Sequence, residues 1–110
     1  MVLNKGSIHL VDFDPAKVGE IGKTRPAVIL SDNQDSTLFK TVIVVPLSSV
    51  IMEHDMPYRC FIPKRQKLKT DSDACIYEIR ALSKSRVGIK VGSITLDELN
   101  NIRKALCDLL

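Results

Sequence analysis

The sequence has little material for a metal site or for a disulfide framework. It contains three cysteines and two histidines, and no two cysteines have the C-x-x-C spacing of zinc sites. An odd number of cysteines in this arrangement favours free thiols in a reducing compartment. We therefore expect no metal, no cofactor and three free thiols, at Cys60, Cys75 and Cys107.

Long apolar runs are also missing. No apolar stretch approaches the roughly 20 residues that cross a bilayer, and residues 1–6 lack the apolar segment of a secretory signal. We expect a cytoplasmic protein without membrane contact. The 110 residues predict one domain, residues 1–110. The absence of a helix-turn-helix pattern disfavours a DNA-directed regulator.

Positive charge is concentrated in one part of the chain, although the net charge is only +3. Residues 58–70 carry basic residues and no acid: Arg59, Lys64, Arg65, Lys67 and Lys69. Such a patch suits a polyanion such as RNA. The alternative is a solvated loop that lysines keep soluble. Aromatic residues are scarce, at 5% of the chain, so few side chains are available to stack on bases.

Runs of β-forming residues bounded by glycine, proline and turn residues predict strands. These runs cover residues 7–13, 25–31, 41–47, 57–63, 74–82 and 87–91. The 41–47 run is nearly all apolar, which predicts a strand buried on both faces. Residues 15–24 and 64–73 are predicted as loops. His9, on the first strand, is expected to be a satisfied or exposed residue and not a ligand.

A helix is predicted after Thr95, which has the character of an N-cap with Glu98 three residues on, the capping-box pattern. An apolar stripe with helical spacing follows, formed by Leu96, Leu99, Ile102, Leu106 and Leu109. Strands followed by one helix predict a mainly β protein of the α+β type. We expect a strongly bent antiparallel sheet, or small barrel, with the C-terminal helix packed on it.

Several motifs occur in one order along the chain. Gly6-x-Ile8 and residues 10–15 precede Gly19-Glu20-x-Gly22-x-x-Arg25-Pro26-Ala27-Val28. Val44-Val45-Pro46-x-Ser48-Ser49 follows, then Ile79-Arg80, Arg86 and the 92–110 segment. Together these motifs resemble the MazF/PemK family, the toxins of type II toxin–antitoxin pairs, over essentially the whole chain.

The resemblance implies an SH3-like barrel with a C-terminal helix, usually a homodimer. It also implies a sequence-selective endoribonuclease (an mRNA interferase) that cuts single-stranded RNA. A cognate antitoxin would compete with RNA for one groove, and contact with DNA would occur only through that antitoxin. The alternative is a non-catalytic barrel of the same shape that binds RNA or a partner peptide.

Two family positions carry over onto this chain. The arginine of the R-P motif is Arg25, and the hydroxyl after the third strand is Ser48, where many members have threonine. The chain departs from the family pattern at Glu78, where glutamine is common. One branch uses a histidine in the first loop with a later arginine and aspartate; Val18, Cys75 and Tyr77 stand near those positions, so that acid–base scheme is not expected here.

Cleavage by the 2′-hydroxyl of RNA needs groups that orient and neutralise the phosphate, without a metal. The guanidinium of Arg25 matches two phosphate oxygens and keeps its proton, so it suits charge stabilisation and not general base catalysis. Alternatively, Arg25 pairs with Glu20 or Asp14. Ser48 either donates to the same phosphate or caps the strand end.

The residue that takes the proton is left open among Glu20, His54 and Glu78, each of which has a solvated or structural alternative. We expect the two loops to flank an RNA groove. The predicted RNA contacts are Lys17, Lys23, Ser49, Lys64, Arg65, Lys67, Arg80 and Arg86.

Overall fold

Seven strands and one long helix make up the part of the chain that the structure, a computed structural model, describes: residues 3–15, 23–31, 39–51 and 58–110. The strands are β1 (Ser7–Asp12), β2 (Thr24–Ile29), β3 (Thr41–Ser48), β4 (Arg59–Ile62), β5 (Ser72–Cys75), β6 (Arg80–Ser83) and β7 (Val87–Ser93). The helix is α1 (Leu96–Leu109), and two 3₁₀ turns cover Ile76–Glu78 and Lys84–Arg86.

All strand pairs are antiparallel, and the sheet has the order β4-β5-β3-β2-β1-β7, with β6 added beside β3. The β1–β7 pair contains register shifts on both sides of His9, where the regular ladder is interrupted. In the described residues the outer strands β4 and β7 do not pair with each other, so the sheet bends without closing. The prediction of a mainly β, bent antiparallel fold with a C-terminal helix is confirmed.

Two apolar clusters lie on opposite faces of the central strands, because successive strand residues point to opposite faces. Val28 belongs to the cluster that includes Ile102 of α1, whereas its neighbours Ala27 and Ile29 belong to the second cluster with Phe13. The sequences of the central strands are therefore runs of apolar residues and do not alternate strictly between apolar and polar residues.

The prediction of one strand over residues 74–82 is wrong. β3 changes partner along its length: Ser48 faces Asp73 of β5, whereas Val44 faces Arg80 of β6. A separation of four positions along β3 is thus matched by a separation of seven positions along the partner segment. The three residues Ile76–Glu78 leave the ladder as a 3₁₀ turn and absorb this difference.

Two further predictions need correction. Ile43 is 43% exposed, so β3 is buried on both faces only from Val44 onward, where both clusters cover it. The predicted 64–73 loop gives Ser72 and Asp73 to β5, and its Leu68 is buried in the core.

The helix start is confirmed: Thr95 is the N-cap, and its side chain and that of Glu98 form the reciprocal capping box. Ile102 is fully buried, but Leu96 is 69% exposed and does not belong to the packed stripe. His9 is buried and its Nδ1 lies 3.0 Å from the Gly88 carbonyl oxygen, which confirms a satisfied strand histidine.

The same helix is tied to the segment before β5. Arg65 forms an ion pair with Glu98, with Nη2 donating to Oε2 at 2.6 Å. Nearby, the Oε1 atom of Gln66 accepts from the Ser93 amide, and a Cβ at Gly92 would lie only 2.8 Å from that oxygen. Glycine at position 92 therefore permits the close approach of the Gln66 side chain to the β7 backbone. Within the described ranges, no helix has the length and apolar character needed to cross a membrane.

Candidate functional site

A cavity opens where β2 and β3 stop pairing. Their ladder runs from Ile29 opposite Val44 to Ala27 opposite Pro46. The same register continued by two residues places Arg25 opposite Ser48, but the strands are no longer paired there. The cavity has a volume of about 230 Å³. Its lining residues are Lys23, Thr24, Arg25, Pro26, Leu47, Ser49, Thr70 and Ser72.

The lining combines positive charge with hydroxyl groups. Lys23 and Arg25 supply the cations, and two serines and two threonines supply hydroxyls. None of the described lining residues is acidic. Such a set matches a phosphate, because charged donors and hydroxyls bond its oxygens without a competing carboxylate.

Arg25 enters the site from the first part of β2, where it faces Val11 of β1 and is half-buried. Its charge lowers the pKa of the Cys75 thiol, as does that of Arg59, although burial of Cys75 has the larger effect and raises the pKa overall. Arg25 therefore lies close enough to β5 to act on groups there.

Ser48 ends β3 as a buried residue, and its Oγ accepts the Val50 amide hydrogen at 3.2 Å. The strand-end cap, which the sequence predicts as the alternative role of Ser48, is thus present. A hydroxyl that accepts one bond still has its own hydrogen to donate, so the cap and a phosphate contact are compatible. The exposed neighbour Ser49 lines the cavity itself.

Of the predicted acid–base candidates, only Glu78 falls in the described ranges; Glu20 and His54 lie outside them, as does Lys17. Glu78 is half-buried at the end of the first 3₁₀ turn. Burial has the largest effect on the pKa of the nearby Cys75 thiol and raises it, and the Glu78 charge raises it further.

The predicted RNA contacts divide into two groups. Lys23 and Ser49 line the cavity beside Arg25. Lys64 and Lys67 are exposed but are not among the lining residues, and Arg65 is engaged by Glu98.

Arg80 and Arg86 have structural contacts near the end of β1. The guanidinium of Arg80 lies 5.6 Å from the centre of the Phe13 ring. Arg86 donates to the backbone carbonyls of Asp12 and Asp14, the first at 3.2 Å. Neither arginine is a lining residue of the cavity.

Sequence reasoning missed an ion pair next to Ser48. Asp73 is 5% exposed and faces Ser48 across the β3–β5 ladder. Its Oδ2 lies 3.3 Å from Nη1 of Arg59, and the same nitrogen donates to the Val50 carbonyl at 3.0 Å. The sequence predicts Asp73 in a polar loop, and the only signal for its burial is its place directly before an apolar run.

The three cysteines are free, as predicted. Burial raises the pKa of the Cys60 thiol, and the Asp73 carboxylate raises it further. Burial likewise raises the pKa of Cys75. Both thiols are therefore protonated at neutral pH and are poor nucleophiles. In the described residues, no cluster of three or more histidine, cysteine or acidic side chains could hold a metal ion.

Comparison with known proteins gives one family and many similar folds. Residues 4–110 match the family described as PemK-like, MazF-like toxin of type II toxin–antitoxin system. A MazF from Deinococcus radiodurans has a TM-score of 0.86 at 23% identity, covering 99% of this chain and 96% of that one.

Two mycobacterial structures are also similar. An endoribonuclease has a TM-score of 0.75 at 19% identity, covering 98% of this chain and 90% of that one. An endoribonuclease in complex with its cognate antitoxin has a TM-score of 0.73 at 20% identity, covering 96% of this chain and 91% of that one. At these identities the likeness establishes the fold.

Proposed function

Because this chain belongs to the PemK-like, MazF-like family of toxins of type II toxin–antitoxin systems, we propose that it is an endoribonuclease that cleaves single-stranded RNA, including mRNA. The observation that carries the proposal is the cavity between β2 and β3, where Lys23, Arg25 and Ser49 meet and none of the described lining residues is a carboxylate. A fold neighbour described as an endoribonuclease supports the same activity.

The proposed reaction is attack by the 2′-oxygen of RNA on the adjacent phosphorus. The new O2′–P bond forms as the P–O5′ bond breaks, which leaves a 2′,3′-cyclic phosphate and a 5′-hydroxyl. The 2′-hydroxyl gives up its proton and the departing 5′-oxygen gains one. The nucleophile belongs to the substrate, so no metal is required to generate it, and DNA, which lacks the 2′-hydroxyl, is not cut.

Arg25 stabilises the charge that develops on the non-bridging phosphate oxygens. Its planar fork can donate two parallel hydrogen bonds to these oxygens. We assign it no proton transfer, because a guanidinium keeps its proton at physiological pH. Lys23, which also lines the cavity, adds positive charge for the neighbouring backbone phosphate.

Ser49 supplies a hydroxyl donor in the cavity, and we assign a second donor to Ser48, which ends β3 next to it and is not among the described lining residues. Ser48 donates its hydroxyl hydrogen to the phosphate while its oxygen holds the Val50 amide. Glu20, His54 and Glu78 remain the candidates for the proton acceptor. In this scheme the cations and hydroxyls orient the phosphate, and a separate group accepts the proton.

We also propose the partners that the family implies: a cognate antitoxin that covers the cavity, and a second copy of the chain in a homodimer. A fold neighbour solved in complex with its cognate antitoxin supports the first. An antitoxin would supply a carboxylate or carbonyl oxygen to Arg25 in place of the phosphate, so toxin inhibition and RNA binding would be mutually exclusive.

The deciding experiment uses purified protein and single-stranded RNA in EDTA. We expect fragments with 5′-hydroxyl ends, identified by their ready phosphorylation with a kinase. Arg25→Ala should slow cleavage by about 10²- to 10³-fold. The matched control is Arg103→Ala, which removes an exposed arginine of α1. RNA binding without cleavage by the wild-type protein would instead favour a non-catalytic binding module.

A further inference from the structure

We propose that Arg59 is a positioning residue for this site: anchored by Asp73, it holds the bend at residues 48–50 that carries the candidate serines. This inference rests on the proposed function, since it assigns Arg59 a task in RNA cleavage. It concerns a contact between β4, β5 and the end of β3 that the motifs of the sequence do not include.

The backbone of Val50 is held at both its N–H and its C=O group. Its N–H donates to Ser48 Oγ at 3.2 Å, and its carbonyl oxygen accepts from Arg59 Nη1 at 3.0 Å. Val50 is otherwise 64% exposed, so packing alone does little to fix it. These two bonds set the path of the chain through Ser49, which lines the cavity.

Asp73 in turn fixes the guanidinium of Arg59. The Arg59 Nη1 and Asp73 Oδ2 atoms are 3.3 Å apart, and the side chains of Asp73 and Arg59 are 7% and 25% exposed, respectively. A carboxylate this buried is retained at low cost only when a cation and hydrogen bonds compensate for lost hydration. Because Asp73 belongs to β5 and faces Ser48 across the ladder, it places Arg59 against the bend.

The pair also sets the charge beside the candidate phosphate site. Without Arg59, the Asp73 carboxylate would lie next to Ser48 with less compensating charge and would repel an incoming phosphate. Arg59 therefore has two separable effects: it reduces repulsion, which acts on substrate binding, and it orients the bend, which acts on the chemical step.

A double-variant experiment separates these effects. We compare Arg59→Ala, Asp73→Asn, the double variant and the control Arg103→Ala, and measure kcat and KM on an RNA that the wild type cuts. Arg59→Ala should raise KM. It should also lower kcat by about 10- to 100-fold, since small misplacements near a reacting centre have effects of this size.

The double variant carries the decision. Removing the carboxylate as well should bring KM back to within about threefold of the wild type, because the repulsion is gone, while kcat stays at least about tenfold low, because the bend is still loose. Recovery of kcat to the wild-type level would overturn the positioning role. If Arg59→Ala fails to fold, Arg59→Lys replaces it: one ammonium cannot keep both contacts, so kcat should be intermediate.

A second measurement does not depend on RNA cleavage. Hydrogen exchange of the Val50 amide, followed by NMR, should be about tenfold faster in the double variant than in Arg103→Ala, because the peptide has lost its carbonyl anchor. Ser48→Ala, which removes the acceptor of that amide, is the positive control. Unchanged exchange would overturn the contact itself. If the wild type cuts no RNA, the proposed function fails, and the exchange rate alone decides whether Arg59 holds the bend.

Discussion

At the residue scale, the two adjacent serines at the end of β3 have different tasks. Ser48 is buried and bonds the Val50 amide, whereas Ser49 is exposed on the cavity. The hydroxyl of Ser48 therefore joins the backbone geometry of the bend to the phosphate site. A substitution that keeps a hydroxyl should preserve both tasks.

We expect Ser48→Ala to lower the cleavage rate by about 10²-fold, the loss typical of one donor to a developing charge. Ser48→Thr should stay within about fivefold of the wild type, because it keeps the donor and the cap. Initial rates on one RNA at saturating concentration test this. Equal rates for Ser48→Ala and the wild type would leave Ser48 with the capping role alone.

At the element scale, the carboxylate of Glu98 bonds two partners and ties α1 to the segment before β5. Glu98 lies within the first helical turn. Its carboxylate accepts hydrogen bonds from the Arg65 guanidinium and from the Thr95 amide in the capping box. Burial by itself raises the pKa of Glu98, but the hydrogen bonds from Arg65 and Thr95 outweigh burial and hold its pKa below the ordinary 4.5. The charged form is therefore favoured by folding.

This lowered pKa predicts the pH dependence of stability. A depressed carboxyl pKa stabilises the fold above about pH 4.5, and this contribution is lost as pH falls through the folded-state pKa. Glu98→Gln should reduce the free energy of unfolding by about 1.5–3 kcal/mol at pH 7, the value of hydrogen bonds to charged groups. The difference from the wild type should shrink at pH 3.

Urea unfolding at pH 7, 5 and 3 measures this difference. Asp97→Asn is the matched control, since Asp97 is an exposed acid of the same helical turn. A destabilisation by Glu98→Gln that is the same at all three pH values would contradict the ion pair as its source.

At the scale of the whole molecule, the structure uses part of the positive charge for its own stability. Arg59 and Arg65 form ion pairs, and Arg86 donates to backbone carbonyls. Lys23 and Arg25 line the cavity, and Lys64 and Lys67 are exposed. The net charge of +3 therefore does not describe which cations are available to RNA.

We expect the affinity for single-stranded RNA to fall with salt, and Lys23→Ala to reduce the slope of log K against log[salt] by about 0.7, the value for one phosphate contact on a single strand. Arg65→Ala should lower the free energy of unfolding and leave that slope nearly unchanged, because Arg65 bonds Glu98. Fluorescence anisotropy at four salt concentrations measures both slopes. If both variants reduced the slope of log K against log[salt] equally, Arg65 would be an RNA contact after all.

Several features of this protein were determined locally and could be predicted. Thr95 and Glu98 are three residues apart, so the capping box that starts α1 is encoded within one helical turn. The apolar runs bounded by glycine and proline located β1, β2 and β3 to within two residues at each end. The family resemblance predicts Arg25 and Ser48 as site residues, and the β2–β3 register extended by two residues places them opposite each other.

Other features depended on contacts between distant parts of the chain. The 3₁₀ turn at Ile76–Glu78 exists because β3 changes partner from β5 to β6, and no local pattern in residues 74–82 records where β3 lies. The Arg59–Asp73 pair joins residues 14 apart, and the Arg65–Glu98 pair joins residues 33 apart. Local propensity and spacing determined the elements and the motif residues, whereas only the tertiary structure decided which charges face each other, because ion pairing depends on distance in space and not on separation along the sequence.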